Sequence, residues 1–214
     1  MDLRDKKVCF LGDSITAGGA ASAPGKSFVG LFELKYPTAT IINYGLGGTR
    51  IAKKTIPSDK PQADLDFNLR VPEMENDADL VVVFGGVNDF GSGDAPLGQY
   101  GDETDDTFYG ALYTLYENLI KKYPYGKILV VTPLHCEGEN VPNHQGNKLE
   151  EYVVAVRKTA ELFSFPVLDL YAVSGMNPAF GRVKEIFMPD GLHPNDLGHQ
   201  RLFELMDVYI VNYL

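Results

Sequence analysis

The sequence predicts a single three-layer α/β/α sandwich, in which a five-stranded parallel sheet is covered by helices on both faces. Three observations predict it. Five short apolar runs, continuous rather than alternating and rich in β-branched residues, read as strands buried on both sides. Apolar stripes at helical spacing lie between and after these runs. The two kinds of segment take turns along the chain, the pattern left by right-handed βαβ crossovers. At 214 residues the chain can bury one full core, and no repeat, low-complexity tract or linker divides it, so residues 1–214 read as one domain.

Each element follows in order. Val8-Cys9-Phe10-Leu11 is the first strand, closed by Gly12. Phe28, Leu31, Phe32 and Leu34 mark the first helix, which stops at Tyr36 because a residue before proline is pushed out of the helical region. Ala39-Thr40-Ile41-Ile42 is the second strand, ended by Asn43 and a glycine cluster. The connection over residues 55–75 holds Pro57, Pro61 and Pro72 and has no clear type. Leu80-Val81-Val82-Val83-Phe84 is the clearest strand and ends in Gly85-Gly86. "GSGDAPLGQYGDETDD", residues 91–106, reads as a long surface loop, and such loops after strand ends tend to carry function. A helix with Phe108, Leu112, Leu115, Tyr116 and Leu119 stops near Pro124. Ile128-Leu129-Val130-Val131 is the fourth strand. Leu149, Tyr152, Val153, Val156, Ala160 and Phe163 mark the next helix, and residues 167–170 the last strand. The final helix carries Leu202, Leu205, Met206, Tyr209 and Ile210, with Asp196 as its expected cap.

Composition excludes several classes of function. A net charge of −10 argues against a nucleic-acid partner, since neutralising phosphates requires clustered Lys and Arg. It equally disfavours an anionic membrane surface, and no apolar stretch is long enough for membrane insertion. The N-terminal MDLRDKKVCF does not read as a secretory leader, so a cytoplasmic location is expected, although a chain whose leader had been removed would read the same way. Cys9 and Cys136 are too few for a disulfide framework, and Cys9 sits in an apolar run as a small hydrophobe. The oligomeric state is not legible.

In an open parallel sheet, ligands bind beyond the carboxyl ends of the strands. Those ends carry Gly12-Asp13-Ser14, the segment Asn43 to Thr49, Gly85-Gly86-Val87-Asn88-Asp89, Thr132 to His135, and, further on, Asp190 to Pro194. Taken singly, each has an ordinary explanation. Ser14 at a strand-to-helix junction suits a helix cap better than a nucleophile. The glycines at 45–48 suit a tight turn and do not match a dinucleotide fingerprint. Asn88 could form an Asx-turn, and His193 could be a surface histidine.

Together these residues contain what acyl transfer needs. Ser14 supplies a hydroxyl on a turn expected to open a helix. His193 is the natural base at neutral pH. Asp190, three residues earlier, can reach the far imidazole nitrogen and fix its tautomer. The backbone N–H groups of Ser14 and Gly48 and the Asn88 amide can converge on one oxyanion, where losing one donor costs about 3–4 kcal/mol of transition-state stabilisation.

"GDSIT" (12–16), "NYGLGGTR" (43–50), "GGVND" (85–89) and "DGLHPN" (190–195) resemble, in order and spacing, the four blocks of the SGNH, or GDSL-type, hydrolases. The resemblance spans essentially the whole chain. It implies Ser14 as nucleophile, Gly48 and Asn88 as oxyanion-hole donors with the Ser14 N–H, His193 as base and Asp190 as its partner. Ile15 stands where the family name has leucine. Gly48 is chosen over Gly45 and Gly47 because it lies five residues after Asn43. Thr16 stands where the α/β-hydrolase elbow G-x-S-x-G needs glycine, which excludes that fold.

The resemblance further implies a flavodoxin-like fold with strand order 2-1-3-4-5 and an open site needing no metal or organic cofactor. The candidate walls are the loop 91–106, the segment around His135 and residues 171–187. His135 could touch substrate, though a polar surface role fits it better. Asp94, Asp102, Glu103, Asp105 and Asp106 read as a solvated acidic loop. The expected substrate is a small acyl ester, an acetylated carbohydrate before a long-chain lipid. A lysophospholipase or thioesterase, or a non-catalytic flavodoxin-like binding module, are the alternatives.

Overall fold

Val8 and Phe10 of the first strand point to one face of the sheet, Cys9 and Leu11 to the other, and all four are buried. That is the double burial that a continuous apolar run implies. A computed structural model describes all residues, 1–214. Its elements are β1 (Lys7–Gly12), α1 (Phe28–Lys35), β2 (Thr40–Gly45), α2 (Phe67–Arg70), β3 (Leu80–Phe84), α3 (Val87–Ser92), α4 (Phe108–Lys122), β4 (Lys127–Val131), α5 (Leu149–Leu162), β5 (Val167–Leu168), α6 (Leu170–Val173), α7 (Gly181–Phe187) and α8 (Asp196–Tyr213).

All strand pairs are parallel, in the order β2-β1-β3-β4-β5. On one face Cys9, Leu11, Val81, Val83, Ile128 and Val130 pack against α4 and α5 through Leu112, Tyr116, Tyr152 and Val156. On the other, Val8, Phe10, Val82 and Leu129 pack against α1 and α8 through Phe28, Phe32, Leu202 and Met206. Phe10 is the anchor of that second layer, its ring centroid 5.7 Å from Phe28 and 5.2 Å from Phe32. The chain runs from β1 outward to β2 and then returns across β1 to β3. The strand order therefore reverses at β1/β3, where a crevice opens at the carboxyl ends.

Several elements differ from the expectation. β2 runs on through Asn43, Tyr44 and Gly45, which pair with Phe10, Leu11 and Gly12, and as an edge strand it is only partly covered. β5 is two residues long because the Asp169 side chain accepts the Ala172 N–H and caps α6. The connection 55–75 resolves into two 3-10 turns and α2, whose N-cap is Asp66. Leu34 is 70% exposed, so it is not part of the core stripe of α1. Asp196 does not cap α8. Asn195 does, accepting the Leu197 and Gly198 N–H groups, while Asp196 turns outward to accept the Ser22 N–H and hydroxyl. Gly91 and Ser92 belong to the end of α3, so the irregular loop is shorter than the sequence implied. Within it Asp94 accepts both Thr55 groups and the Ile56 N–H, and Asp102 accepts the Thr107 hydroxyl, so two of its carboxylates are structural. No helix is long and apolar enough to cross a membrane.

Candidate active site

The chain leaving β1 turns on itself instead of entering a helix. Asp13 is buried and its carboxylate accepts the Ile15 N–H at 2.9 Å; the Gly19 N–H then donates to Ser14 O at 2.7 Å. Left-handed backbone at Gly18 (φ +92) and Ala20 (φ +64) stops the turn from propagating. The expectation that Ser14 opens or caps a helix is therefore corrected. The helix starts at Phe28 and its cap is Ser27, whose side chain accepts the Gly30 N–H. No helix N-terminus lies at Ser14, and its hydroxyl instead faces His193 Nε2 at 2.9 Å.

His193 comes from the turn between α7 and α8. Asp190 Oδ1 accepts the Leu192 and His193 N–H groups at 2.8 and 2.7 Å, which bends the chain so that Oδ2 accepts from His193 Nδ1 at 2.7 Å. Partial burial raises the Asp190 pKa, but those three hydrogen bonds outweigh it and hold the carboxyl below its ordinary value. It is thus an ionised acceptor. With Nδ1–H donated to it, Nε2 presents its lone pair to the Ser14 hydroxyl. Serine, histidine and aspartate form one hydrogen-bonded line.

Gly48 and Asn88 arrive from the neighbouring strand ends. Asn43 Nδ2 donates to Thr16 O, and a side chain at Gly45 would collide with the Ala17 backbone, so the end of β2 lies directly on the Ser14 loop. Gly48 has φ +77, conformational space that glycine enters without strain. A Cβ on its neighbour Gly47 would come within 3.8 Å of Ser14 Cβ. The N–H groups of Ser14 and Gly48 donate to no protein acceptor. Asn88 Nδ2 donates one hydrogen to Thr49 O at 3.0 Å, which orients the amide and leaves its second hydrogen unused. The Ser14 N–H, the Gly48 N–H and one Asn88 hydrogen therefore have no protein acceptor.

Charged groups that sequence reasoning passed over hold this arrangement. Asp89, buried, accepts the Ile51 and Ala52 N–H groups at 3.0 and 2.8 Å and so fastens the Gly48 loop to α3. Arg70 donates to Tyr44 O, Gly12 O and Thr49 Oγ1, tying β1, β2 and the same loop together; burial lowers its pKa to about 10, still far above neutrality. Arg50 donates to Gly48 O at 3.1 Å. Asp13 and Asp89 lie inside the quoted blocks and could have been singled out. Arg70 lies in the untyped connection, where no periodicity marks it.

Burial raises the pKa of Asp89 to about 7 and that of Asp13 to about 6. A carboxyl whose folded pKa lies above the unfolded value makes the native state bind more protons. Its contribution is full below about pH 4 and is lost as pH rises through the folded value. Asp89→Asn cannot titrate. The stability of the native protein relative to this variant is therefore expected to fall between pH 4 and pH 7.5, as read from urea midpoints at each pH. A difference independent of pH would contradict the raised value.

His135 is not a free surface histidine. Its Nδ1 lies 2.8 Å from the buried Glu139 carboxylate and its ring is 3.8 Å from that of Tyr171. It lines a small hollow with Asp13, Ile15 and Leu192, beneath the serine. A larger cavity of about 460 Å³ opens beside Asn88 and Asp190, walled by Val87, Phe90, Cys136 and Leu192. No group of three or more His, Cys, Asp or Glu side chains is arranged to hold a metal ion.

Known proteins carry matching sequence and structure. The family model described as GDSL-like Lipase/Acylhydrolase matches residues 10–201. A protein from Lactobacillus plantarum of known crystal structure is 30% identical, with a TM-score of 0.87 and 100% of each chain covered. An acetyl xylan esterase is 24% identical with a TM-score of 0.68, covering 95% of this chain and 99% of its own. The lipase/acylhydrolase from Enterococcus faecalis is 21% identical with a TM-score of 0.62, covering 96% and 95%. No curated protein sequence matches the chain. The family match spans all four sequence blocks and the last two structures share the fold; the chain belongs to the GDSL-like lipase/acylhydrolase family.

Proposed function

We propose that the protein is a serine esterase acting on small acyl esters, acetylated carbohydrates foremost, through an acyl-enzyme intermediate. The observation that carries this reading is the unbroken line from Ser14 Oγ to His193 Nε2 (2.9 Å) and from His193 Nδ1 to Asp190 (2.7 Å). His193 takes the Ser14 proton as Oγ bonds to the ester carbonyl carbon. The carbonyl oxygen becomes an oxyanion that receives the Ser14 and Gly48 N–H groups and the unused Asn88 hydrogen. Collapse of this intermediate breaks the ester C–O bond, and His193 returns the proton to the departing alcohol. Water, deprotonated by His193, then adds to the acyl-Ser14 carbonyl; collapse breaks the bond to Ser14 Oγ, His193 returns the proton to that oxygen, and the acid is freed. Within each half-reaction the transferred proton rests on His193, and ionised Asp190 stabilises the imidazolium that carries it.

The substrate preference has separate support. The cavity beside Asn88 and Asp190 has the Asp190 carboxylate in its lining, while the neighbouring Glu137 carboxylate is paired with Lys184, which favours a neutral group over an anionic one. The acetyl xylan esterase has the same fold. Activity is expected to fall sharply along a series of p-nitrophenyl esters beyond short acyl chains, and acetate is expected to be released from peracetylated sugars. Efficient hydrolysis of long-chain or lysophospholipid esters would overturn the carbohydrate assignment.

Gly91 gives a test of the cavity itself. It lies in α3, lines the cavity, and a Cβ there would meet nothing within 4 Å. Gly91→Phe is expected to fill the space. The ratio of kcat/KM for p-nitrophenyl acetate to that for an acetylated disaccharide should rise about tenfold or more. An unchanged ratio would place the sugar elsewhere.

A further inference from the structure

We propose that His199 is a positioning residue for the Ser14–His193 pair, acting through the Gly19 peptide; this rests on the esterase reading above. His199 sits one turn into α8, fully buried, with its own N–H donated to Asn195 O. Both ring nitrogens are used. The Phe28 N–H lies 3.3 Å from Nδ1, so Nδ1 must accept; Nε2 therefore carries the hydrogen and donates it to Gly19 O at 3.1 Å. Burial lowers the pKa of His199, in keeping with this neutral form.

Gly19 is where the nucleophile and the base meet the same backbone. Its N–H donates to Ser14 O at 2.7 Å. A Cβ built on it would lie 2.9 Å from Ser14 O and 3.1 Å from His193 Cδ2, so its Cα already packs against both. The carbonyl of that residue is gripped by His199. Asn43 Nδ2 on Thr16 O ties the Ser14 loop to β2, but its place relative to His193, which lies outside the sheet, needs a second reference. α8 provides it. His199 grips Gly19, and Asp196, one turn earlier, accepts the Ser22 N–H and hydroxyl at 2.8 and 2.7 Å. His193 lies three residues before the first residue of the same helix, so base and nucleophile are both registered to the start of α8.

The two amide side chains separate positioning from mere support. The glutamine amide nitrogen reaches about where Nε2 lies and can donate to Gly19 O. The asparagine amide oxygen reaches about where Nδ1 lies and can accept from Phe28 but not reach Gly19. With p-nitrophenyl acetate, well below each variant's Tm, His199→Asn should lose kcat by about 100-fold at unchanged KM, because a misplacement of about 1 Å is worth that much. His199→Gln should recover most of it, whatever the order of the two Tm values. Gly19→Ala tests the same contact from the other side. Gly19 is not in left-handed backbone, but a Cβ there would lie 2.9 Å from Ser14 O and 3.1 Å from His193 Cδ2, so alanine forces the Ser14 loop and the imidazole to shift. Its kcat should fall at least as far, with a lower Tm.

If kcat is retained in His199→Asn, or follows Tm across the two His199 variants rather than the Gly19 hydrogen bond, His199 is only structural and the proposal fails. Labelling with a fluorophosphonate separates that from failure of the underlying reading. Wild-type protein should be labelled at Ser14, and His199→Asn more slowly. No adduct on wild type would overturn the esterase assignment itself.

Discussion

Ser14→Ala is expected to reduce kcat for p-nitrophenyl acetate by roughly 10⁶-fold, to the level set by the remaining donors and binding alone. The fold should be indifferent to the change. Ser14 is only partly buried, its hydroxyl has no protein partner except His193 Nε2, and no backbone group depends on it. The far-UV spectrum and urea midpoint should therefore match wild type, and a fluorophosphonate should label wild type but not the variant. Turnover surviving at more than a small fraction of the native rate would show that the hydroxyl is not the attacking group. The test is sharp because the same oxygen has no structural duty.

Asp190→Asn should cost roughly 10³–10⁴-fold in kcat, by a different route. Asparagine keeps an acceptor oxygen for the Leu192 and His193 N–H groups, so the turn survives. Its other atom is now a donor facing His193 Nδ1, which moves the imidazole hydrogen to Nε2, the atom that must accept the Ser14 proton. The ring stays in place with the wrong tautomer. The Asp190 side chain is 51% exposed, so water can substitute in part, and this sets the lower end of the range. Stopped-flow acylation should slow while KM changes little. A loss of only a few-fold would show that solvent supports His193 as well as the carboxylate does.

Much of this site was legible because its residues sit in short blocks at strand ends. Ser14, Gly48 and Asn88 were named from their places after β1, β2 and β3, whose ends the sheet order sets side by side, and Asp190 and His193 from the block before the last helix, which forms the turn between α7 and α8. The errors share a cause. Ser14 looked like a helix start because small polar residues after a strand usually are one, but Gly18 and Ala20 take left-handed backbone and the helix waits for Ser27. Asp196 looked like the cap of α8, yet Asn195 caps it and Asp196 holds Ser22. In both places two adjacent residues could serve, and the choice was made by contacts far along the chain. His135 looked exposed although one partner, Glu139, lies only four residues on; the other, Tyr171 of α6, meets its ring only in the folded chain.

By itself the sequence determined the layer architecture, because strands buried on two faces and helices buried on one impose different periodicities that can be read locally. It also determined which residue types crowd the strand ends, and so the class of chemistry. Tertiary structure alone decided how those residues are held. Arg70 binds three segments from an aperiodic connection, Asp89 spends its charge on two backbone amides, and His199 reaches across 180 residues of chain to Gly19. Hydrogen bonds between distant segments follow no local period. They exist only after the hydrophobic layers have brought their ends together.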